Sequence, residues 1–234
     1  MSRSKAKKLD HIKYLFFDAG GTLIDLDYSY LRKLLNLKGY DADEEVLAIA
    51  EGKARMWVDR GLRSSDKRPI DFWKGYFNIL FSEAGAKDGS MEDVIDHLWE
   101  RNAEEGLWKT PIRGVAETLD VLKERGYRMS VISNAHGKVA NDLRDAGMAK
   151  YFEKIFDSFW IGTEKPDPGI FNYAMQQVKV TPEESLFIGD VFAIDIVGAR
   201  KAGMEAFLLD RYSLMDDAEC PRIMQLSELL DHLG

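Results

Sequence analysis

One cysteine, Cys220, four histidines and six prolines in 234 residues leave little material for several kinds of chemistry. A lone thiol cannot close an intrachain disulfide, and one thiol with four imidazoles cannot supply a structural zinc site rich in Cys and His. A reducing, cytoplasmic setting is expected. No apolar run reaches the roughly 20 residues that a bilayer-spanning helix needs, so no membrane association is expected. The stretch Met1 to Lys13 is basic and polar, and the short apolar run after it ends in Asp18, which is not the pattern of a secretory signal. Its charges, Arg3, Lys5, Lys7, Lys8 and Lys13 against Asp10, read as a solvated arm. Positive charge is scarce overall: 32 Lys+Arg against 40 Asp+Glu give 32 − 40 = −8, which argues against a general nucleic-acid binder but not against a small anionic substrate. What is abundant is hydrophobic residues, 45% of the chain, enough for a sizeable core and too many for a disordered protein. No internal repeat or low-complexity segment is visible.

Tyr14 to Phe17 is an uninterrupted apolar run, too short for a helix and followed by Gly20-Gly21, so it reads as a strand buried on both faces. Met129 to Ser133, Ser185 to Ile188 and Ala206 to Leu209 repeat the pattern, with a weaker run around Ile155 to Trp160. Between them lie helical stripes: Val115, Leu119 and Leu122; Val139, Leu143 and Ala146; Ile170, Phe171, Ala174 and Val178; Ile194, Val197 and Ala202. Gly126, Gly147 and Gly203 fall where helix C-caps are expected, and Pro182 opens a turn. Alternating strands and helices imply a doubly wound, Rossmann-like parallel α/β sheet, with any chemistry at the C-terminal ends of its strands.

Residues 25–109 break the alternation, because the apolar patterns there have helical spacing throughout. The stripes are Tyr28, Leu31, Leu34 and Leu35; Val46, Ile49, Ala50 and Trp57; Ile70, Trp73, Phe77 and Leu80; and Met91, Val94, Ile95, Leu98 and Asn102. Four helices are expected, inserted directly after the first strand and rejoining the sheet through a hinge at Thr110-Pro111-Ile112-Arg113-Gly114. The division is therefore a core of residues 1–24 and 110–234 and a helical insert of residues 25–109. Trp57, Trp73, Trp99 and Trp108, at such spacing, are expected in the core of the small bundle rather than in a pocket; Arg55, Arg60, Arg63 and His97 are its candidate pocket cations.

Four strand-end signatures occur in order: Asp18-Ala19-Gly20-Gly21-Thr22, Ser133-Asn134, Lys165-Pro166, and Gly189-Asp190 with Asp195. Each alone is ordinary turn and cap chemistry. Together they resemble the haloacid dehalogenase superfamily, over nearly the whole chain. The insert looks like that superfamily's helical cap, and the 165 − 133 = 32 residues between the second and third signatures leave no room for another large one. The resemblance implies a phosphatase with Asp18 as nucleophile, Ser133 and Lys165 serving the phosphate, and the loops at Ala19, Gly21, Thr22 and Asn134 cradling its oxygens. It implies Mg²⁺ held by Asp18, the backbone carbonyl of Gly20 and Asp190, with Asp195 orienting the ion's water. The chemistry is consistent: a carboxylate can attack phosphorus only if the two negative charges are offset, and oxygen ligands suit a hard cation. The expected substrate is a small phosphorylated or phosphonate metabolite, and the expected assembly a monomer or homodimer.

Gly20 departs from the pattern, since such phosphatases usually carry there a second aspartate that protonates the leaving oxygen and then activates water. General acid–base help is typically worth about 10²–10⁴-fold, so its loss falls hardest on alkyl phosphates. His136 and Asp25 are candidate replacements. A small residue at this position also resembles the phosphonatases, which use a cap lysine; Lys53 would be that residue. Dehalogenation is disfavoured by Gly189-Asp190, which metal-independent dehalogenases lack. A ligand-binding protein with weak catalysis is the remaining alternative.

Overall fold

The computed structural model describes residues 9–87 and 89–234; Arg3, Lys5, Lys7 and Lys8 of the basic arm lie outside the described residues. In chain order the elements are β1 Tyr14–Phe17, β2 Ile24–Leu26, α1 Tyr28–Leu37, α2 Glu44–Arg63, α3 Trp73–Glu83, α4 Glu92–Glu105, β3 Trp108–Pro111, α5 Val115–Glu124 and β4 Arg128–Ser133. They continue with α6 Val139–Asp145, β5 Lys154–Asp157, α7 Ser158–Ile161, α8 Pro168–Val178, β6 Ser185–Gly189, α9 Val197–Lys201, β7 Glu205–Leu209, β8 Arg222–Ile223 and α10 Leu229–His232.

Six strands form one parallel sheet in the order β5-β4-β1-β6-β7-β8. The most apolar strand, β1, lies inside it, with Leu15 opposite both Met129 of β4 and Leu186 of β6. Alternation divides each strand between two cores. Leu15, Phe17, Val131 and Ile188 face Leu119, Leu122 and Leu143 of α5 and α6, whereas Tyr14, Phe16, Ile132 and Phe187 face Ile170, Phe171 and Ala199 of α8 and α9. Helices on both faces are the doubly wound arrangement, and chain direction carries Asp18, Ser133 and Asp190 to the same end of the sheet.

Several sequence expectations need correction. The connection of the sheet to residues 25–109 is not a loop hinge but a two-stranded antiparallel ribbon of β2 and β3, with Ile24 opposite Pro111. These strands were missed because each is short and hugs a helical pattern. Phe159 and Trp160 belong to α7 rather than to β5, since Asp157 caps the Phe159 amide at 3.0 Å and ends the strand. The sixth strand, β8, is only two residues long and below the reach of periodicity.

Among the described residues, the helical segment has four α-helices, packed around Leu26, Leu35, Leu47, Phe77, Leu80 and Leu98. In α2, however, the stripe Val46, Ile49, Trp57 is about 40% exposed at each position, and the buried apolar face is Leu47, Ala50, Ala54 and Val58. The same helix buries a second, charged stripe at spacing four, Glu51, Arg55 and Asp59, which a hydrophobicity pattern discards. Nor are the tryptophans core: Trp57 and Trp99 are 40% and 44% exposed, and Trp73 and Trp108 are half-buried. Trp99 meets Trp73 edge-on at 5.1 Å, so aromatic pairing near the surface replaces full burial.

Candidate active site

Where β1 ends, the chain turns through Gly21, whose positive φ of 74° suits glycine, and the Asp18 carboxylate is left just above the sheet. Lys165, 1% exposed, reaches it from the loop before α8: its Nζ stands 2.5 Å from Asp18 Oδ1 and 2.7 Å from Asp195 Oδ1. Asn134 fixes that lysine's backbone, its Oδ1 accepting from Lys165 N and its Nδ2 donating to Lys165 O, both at 2.8 Å. The other oxygen of Asp195 accepts from the amides of Asp190 and Val191 at 3.1 and 3.0 Å. A Cβ on Gly189 would lie 2.4 Å from the Asp195 Cγ, so glycine before Asp190 is what lets this carboxylate fold back across the end of β6.

Carboxylate oxygens of Asp18, Asp190 and Asp195 all come within 4.8 Å of one another. Asp190 also meets Arg55 of α2, Nη1 to Oδ2 at 2.8 Å, while Arg55 Nη2 lies 2.9 Å from Glu51. Glu51, 1% exposed, accepts from the hydroxyls of Tyr28 and, at 2.7 Å, Tyr76. Four buried carboxylates (Asp18, Glu51, Asp190, Asp195) therefore face two buried cations (Lys165, Arg55), and 2 − 4 = −2. Burial pushes Asp18 up to about 6 against the pull of Lys165, and holds Asp190 well above its ordinary value despite Arg55. Glu51 is lowered: burial opposes its charge, but Arg55 and the two tyrosine hydroxyls outweigh it. Lys165 is raised, because Asp18 and Asp195 more than offset its burial.

A cavity of about 750 Å³ opens over this cluster. Of the residues expected at the site, Asp18, Ala19, Gly20, Ser133, Asn134, Lys165, Asp190 and Asp195 line it. Gly21 and Thr22 do not: Thr22 is fully buried and turns its hydroxyl to Asp190 Oδ1 at 3.4 Å, and Gly21 packs behind Asp190 and Arg55. Both stand directly behind the acidic cluster rather than on the cavity wall. Asp25 is held by Arg211 through two contacts of 2.6 and 2.9 Å away from the cavity, whereas His136 lines it. Lys53 pairs with Glu83 at 2.5 Å on the surface and lies off the cavity wall. Of Arg55, Arg60, Arg63 and His97, Arg55 alone lines the cavity; Arg63 binds Asp59, and His97 binds the Tyr30 hydroxyl. Arg68, Trp73, Tyr76 and Trp108 also line it and were not singled out as pocket residues; the Glu51, Arg55 spacing was the available signal for the charged stripe.

A doubly wound parallel sheet carrying a lysine-bridged carboxylate cluster at its strand ends, under a helical segment, has its cavity where sheets of this class bind their ligands. The chain matches the family described as "Hydrolase: haloacid dehalogenase-like hydrolase" over residues 12–203, and it belongs to that family. It is 30% identical over 162 residues to haloacid dehalogenase-like hydrolase domain-containing protein 3 of Mus musculus, covering 69% of this chain and 62% of the relative, which is less than two thirds of its length. Glyceraldehyde 3-phosphate phosphatase of Methanothermobacter thermautotrophicus is 32% identical over 211 residues, 85% of this chain and 86% of that one. (S)-2-haloacid dehalogenase 4A of Burkholderia cepacia is 28% identical over 87% of this chain and 85% of its own. Among solved structures, the putative HAD-hydrolase YfnB of Bacillus subtilis bound to magnesium has the same fold, with TM-score 0.67 and 21% identity over 93% of this chain and 96% of that one. No helix of the described residues is long and apolar enough to cross a membrane.

Proposed function

We propose that the protein is a magnesium-dependent phosphatase acting on a small phosphorylated metabolite through an aspartyl-phosphate on Asp18. The observation that carries this reading is the buried cluster of four carboxylates against two cations. Its donors are carboxylate oxygens, which suit a hard divalent cation; its formal excess is two negative charges, and such an ion would offset the burial that raises Asp18 and Asp190. Asp18 and Asp190 would hold Mg²⁺, with the Gly20 carbonyl beside them. When bound, the ion supplies charge neutralisation and orientation of the phosphoryl group. Asp195 has both oxygens engaged and serves by fixing Lys165 and the Asp190 amide.

Lys165 holds the Asp18 carboxylate in place at 2.5 Å and keeps its positive charge beside the incoming phosphate. Ser133, 6% exposed and on the cavity wall, can donate to a phosphoryl oxygen. Residues 25–109 act in this reading as a cap domain on the core of residues 1–24 and 110–234, closing the cavity with Arg55. Relatives named as phosphatases support the substrate class; a cavity of about 750 Å³ suits a small molecule. Lys53, tied to Glu83 and off the cavity wall, does not supply the lysine that the phosphonatase alternative requires of it.

The test is hydrolysis of p-nitrophenyl phosphate by the wild type and by Asp18→Asn, with and without magnesium. Turnover should require both the ion and Asp18, while the circular dichroism of the variant stays native. Equal turnover in the variant would show that another residue is the nucleophile.

A further inference from the structure

Trp108 is the first residue of β3, and its backbone is set by pairing with Leu26 of the ribbon. Ile24 of the same ribbon bridges back to Gly20, so the ribbon ties position 108 to the loop that follows the nucleophile. A Cβ built on Gly20 would lie 3.0 Å from Trp108 Cδ1 and 3.2 Å from its Nε1. The N–H edge of the indole therefore fills the direction in which any side chain at position 20 would project. Both residues line the same cavity as Asp18, and the Trp108 ring lies 6.5 Å from that of Tyr76 in the cavity's helical roof. The indole is half-buried and its Nε1–H makes no hydrogen bond with any other described residue. An indole N–H is a donor only and normally finds an acceptor.

We propose that Trp108 is the leaving-group contact of this site, its Nε1–H donating a hydrogen bond to the oxygen that departs from phosphorus. The inference rests on the phosphatase reading above. In-line displacement puts the departing oxygen on the side of phosphorus away from Asp18, which is the side closed by the ribbon and the helices. The bond from Asp18 Oδ to phosphorus forms as the bond from phosphorus to the leaving oxygen breaks, and the electron pair stays on that oxygen. Indole does not give up its proton, so the oxygen leaves as an oxyanion held by the hydrogen bond and is protonated later by solvent. The substrate class that follows is phosphate joined to a stabilised oxyanion, as in aryl, enol or acyl phosphates, in preference to simple alkyl esters. The aromatic wall of Trp73, Tyr76 and Trp108 is suited to a flat leaving group of this kind.

The experiment compares kcat/KM for phenyl phosphate and p-nitrophenyl phosphate in the wild type, Trp108→Phe and Trp108→His. Phe keeps the ring and removes the N–H, so the loss should be about tenfold on phenyl phosphate, whose oxyanion is the less stable, and under about threefold on p-nitrophenyl phosphate. His restores a ring N–H and should recover part of the phenyl phosphate loss. Equal losses on both esters, or no recovery with His, would overturn the inference and leave Trp108 a packing residue. If the wild type hydrolyses neither ester in an Asp18-dependent way, the phosphatase reading itself fails and takes this inference with it.

Discussion

At Gly20 a single missing side chain decides the character of the site. In the phosphatase reading position 20 supplies no acid to the leaving group, and the space beside it is not empty, because the Trp108 indole stands 3.0 Å from where a Cβ would be. A side chain at position 20 requires the indole to give by a few tenths of an ångström. Gly20→Asp alone crowds the indole, whereas Gly20→Asp with Trp108→Ala gives the carboxyl room. The double variant should raise the ratio of alkyl to aryl phosphate turnover by at least about tenfold, within the usual worth of general acid catalysis. An unchanged ratio in parallel assays of glycerol phosphate and p-nitrophenyl phosphate would remove the argument from Gly20. Asp18, Lys165, Asp190 and Asp195 were legible as residue types at strand ends and the loops after them. The orientation of Thr22 was not, since a hydroxyl in a strand-end loop reads the same whether it faces a cavity or, as here, Asp190.

Helix α2 is the element that joins the two halves of the molecule. One face packs Leu47, Ala50 and Ala54 into the helical core, and the charged stripe of the same helix lies along the strand-end loops. Asp59, fully buried, accepts from the Ala193 amide at 2.6 Å and binds Arg63, which stacks over Phe192. Asp59→Ala leaves that amide unpaired, which costs about 1–3 kcal/mol. A lowered denaturant midpoint with an unchanged slope is the expected result, and an unchanged midpoint would mean that water replaces the carboxylate. Helix α6 carries a different signal. Burial pushes Asp142 up to about 6 from an ordinary value of 3.8, even with Lys109 and Lys138 nearby. An acid whose folded pKa is raised costs stability where it is ionised, above about 6, and the cost disappears as pH falls to the unfolded value. Asp142→Asn should thus raise the melting temperature at pH 8 and have little effect at pH 4; a gain of equal size at both would exclude the titration as its cause.

At the scale of the whole molecule, the uncompensated charge of the cluster is the property that a cation should change. Magnesium at 100 times its dissociation constant stabilises a folded protein by about 2.7 kcal/mol, and for a chain of this length each kcal/mol moves the melting temperature by about 2–4 °C. The wild type should therefore melt higher in magnesium than in chelator, and Asp190→Asn should abolish the difference. A shift that survives in Asp190→Asn would place the ion elsewhere.

The sequence by itself determined the parallel sheet, because buried strands such as Tyr14–Phe17 are continuous apolar runs and their order with the helices admits few windings. It also pointed to residues that share one cavity, since Asp18, Ser133, Lys165 and Asp190 stand beside strand ends or in the loops that follow them. What covers that cavity depends on the packing of elements distant in the chain. Arg55 and Glu51 look like solvated charges on a helix until the helix is laid across the strand ends, and Trp108 looks like bundle core until the ribbon swings it over Gly20. Periodicity records which face of a helix is apolar, not which polar face is buried against another element. That second face is set by long-range contacts, and in this protein it forms the roof of the site.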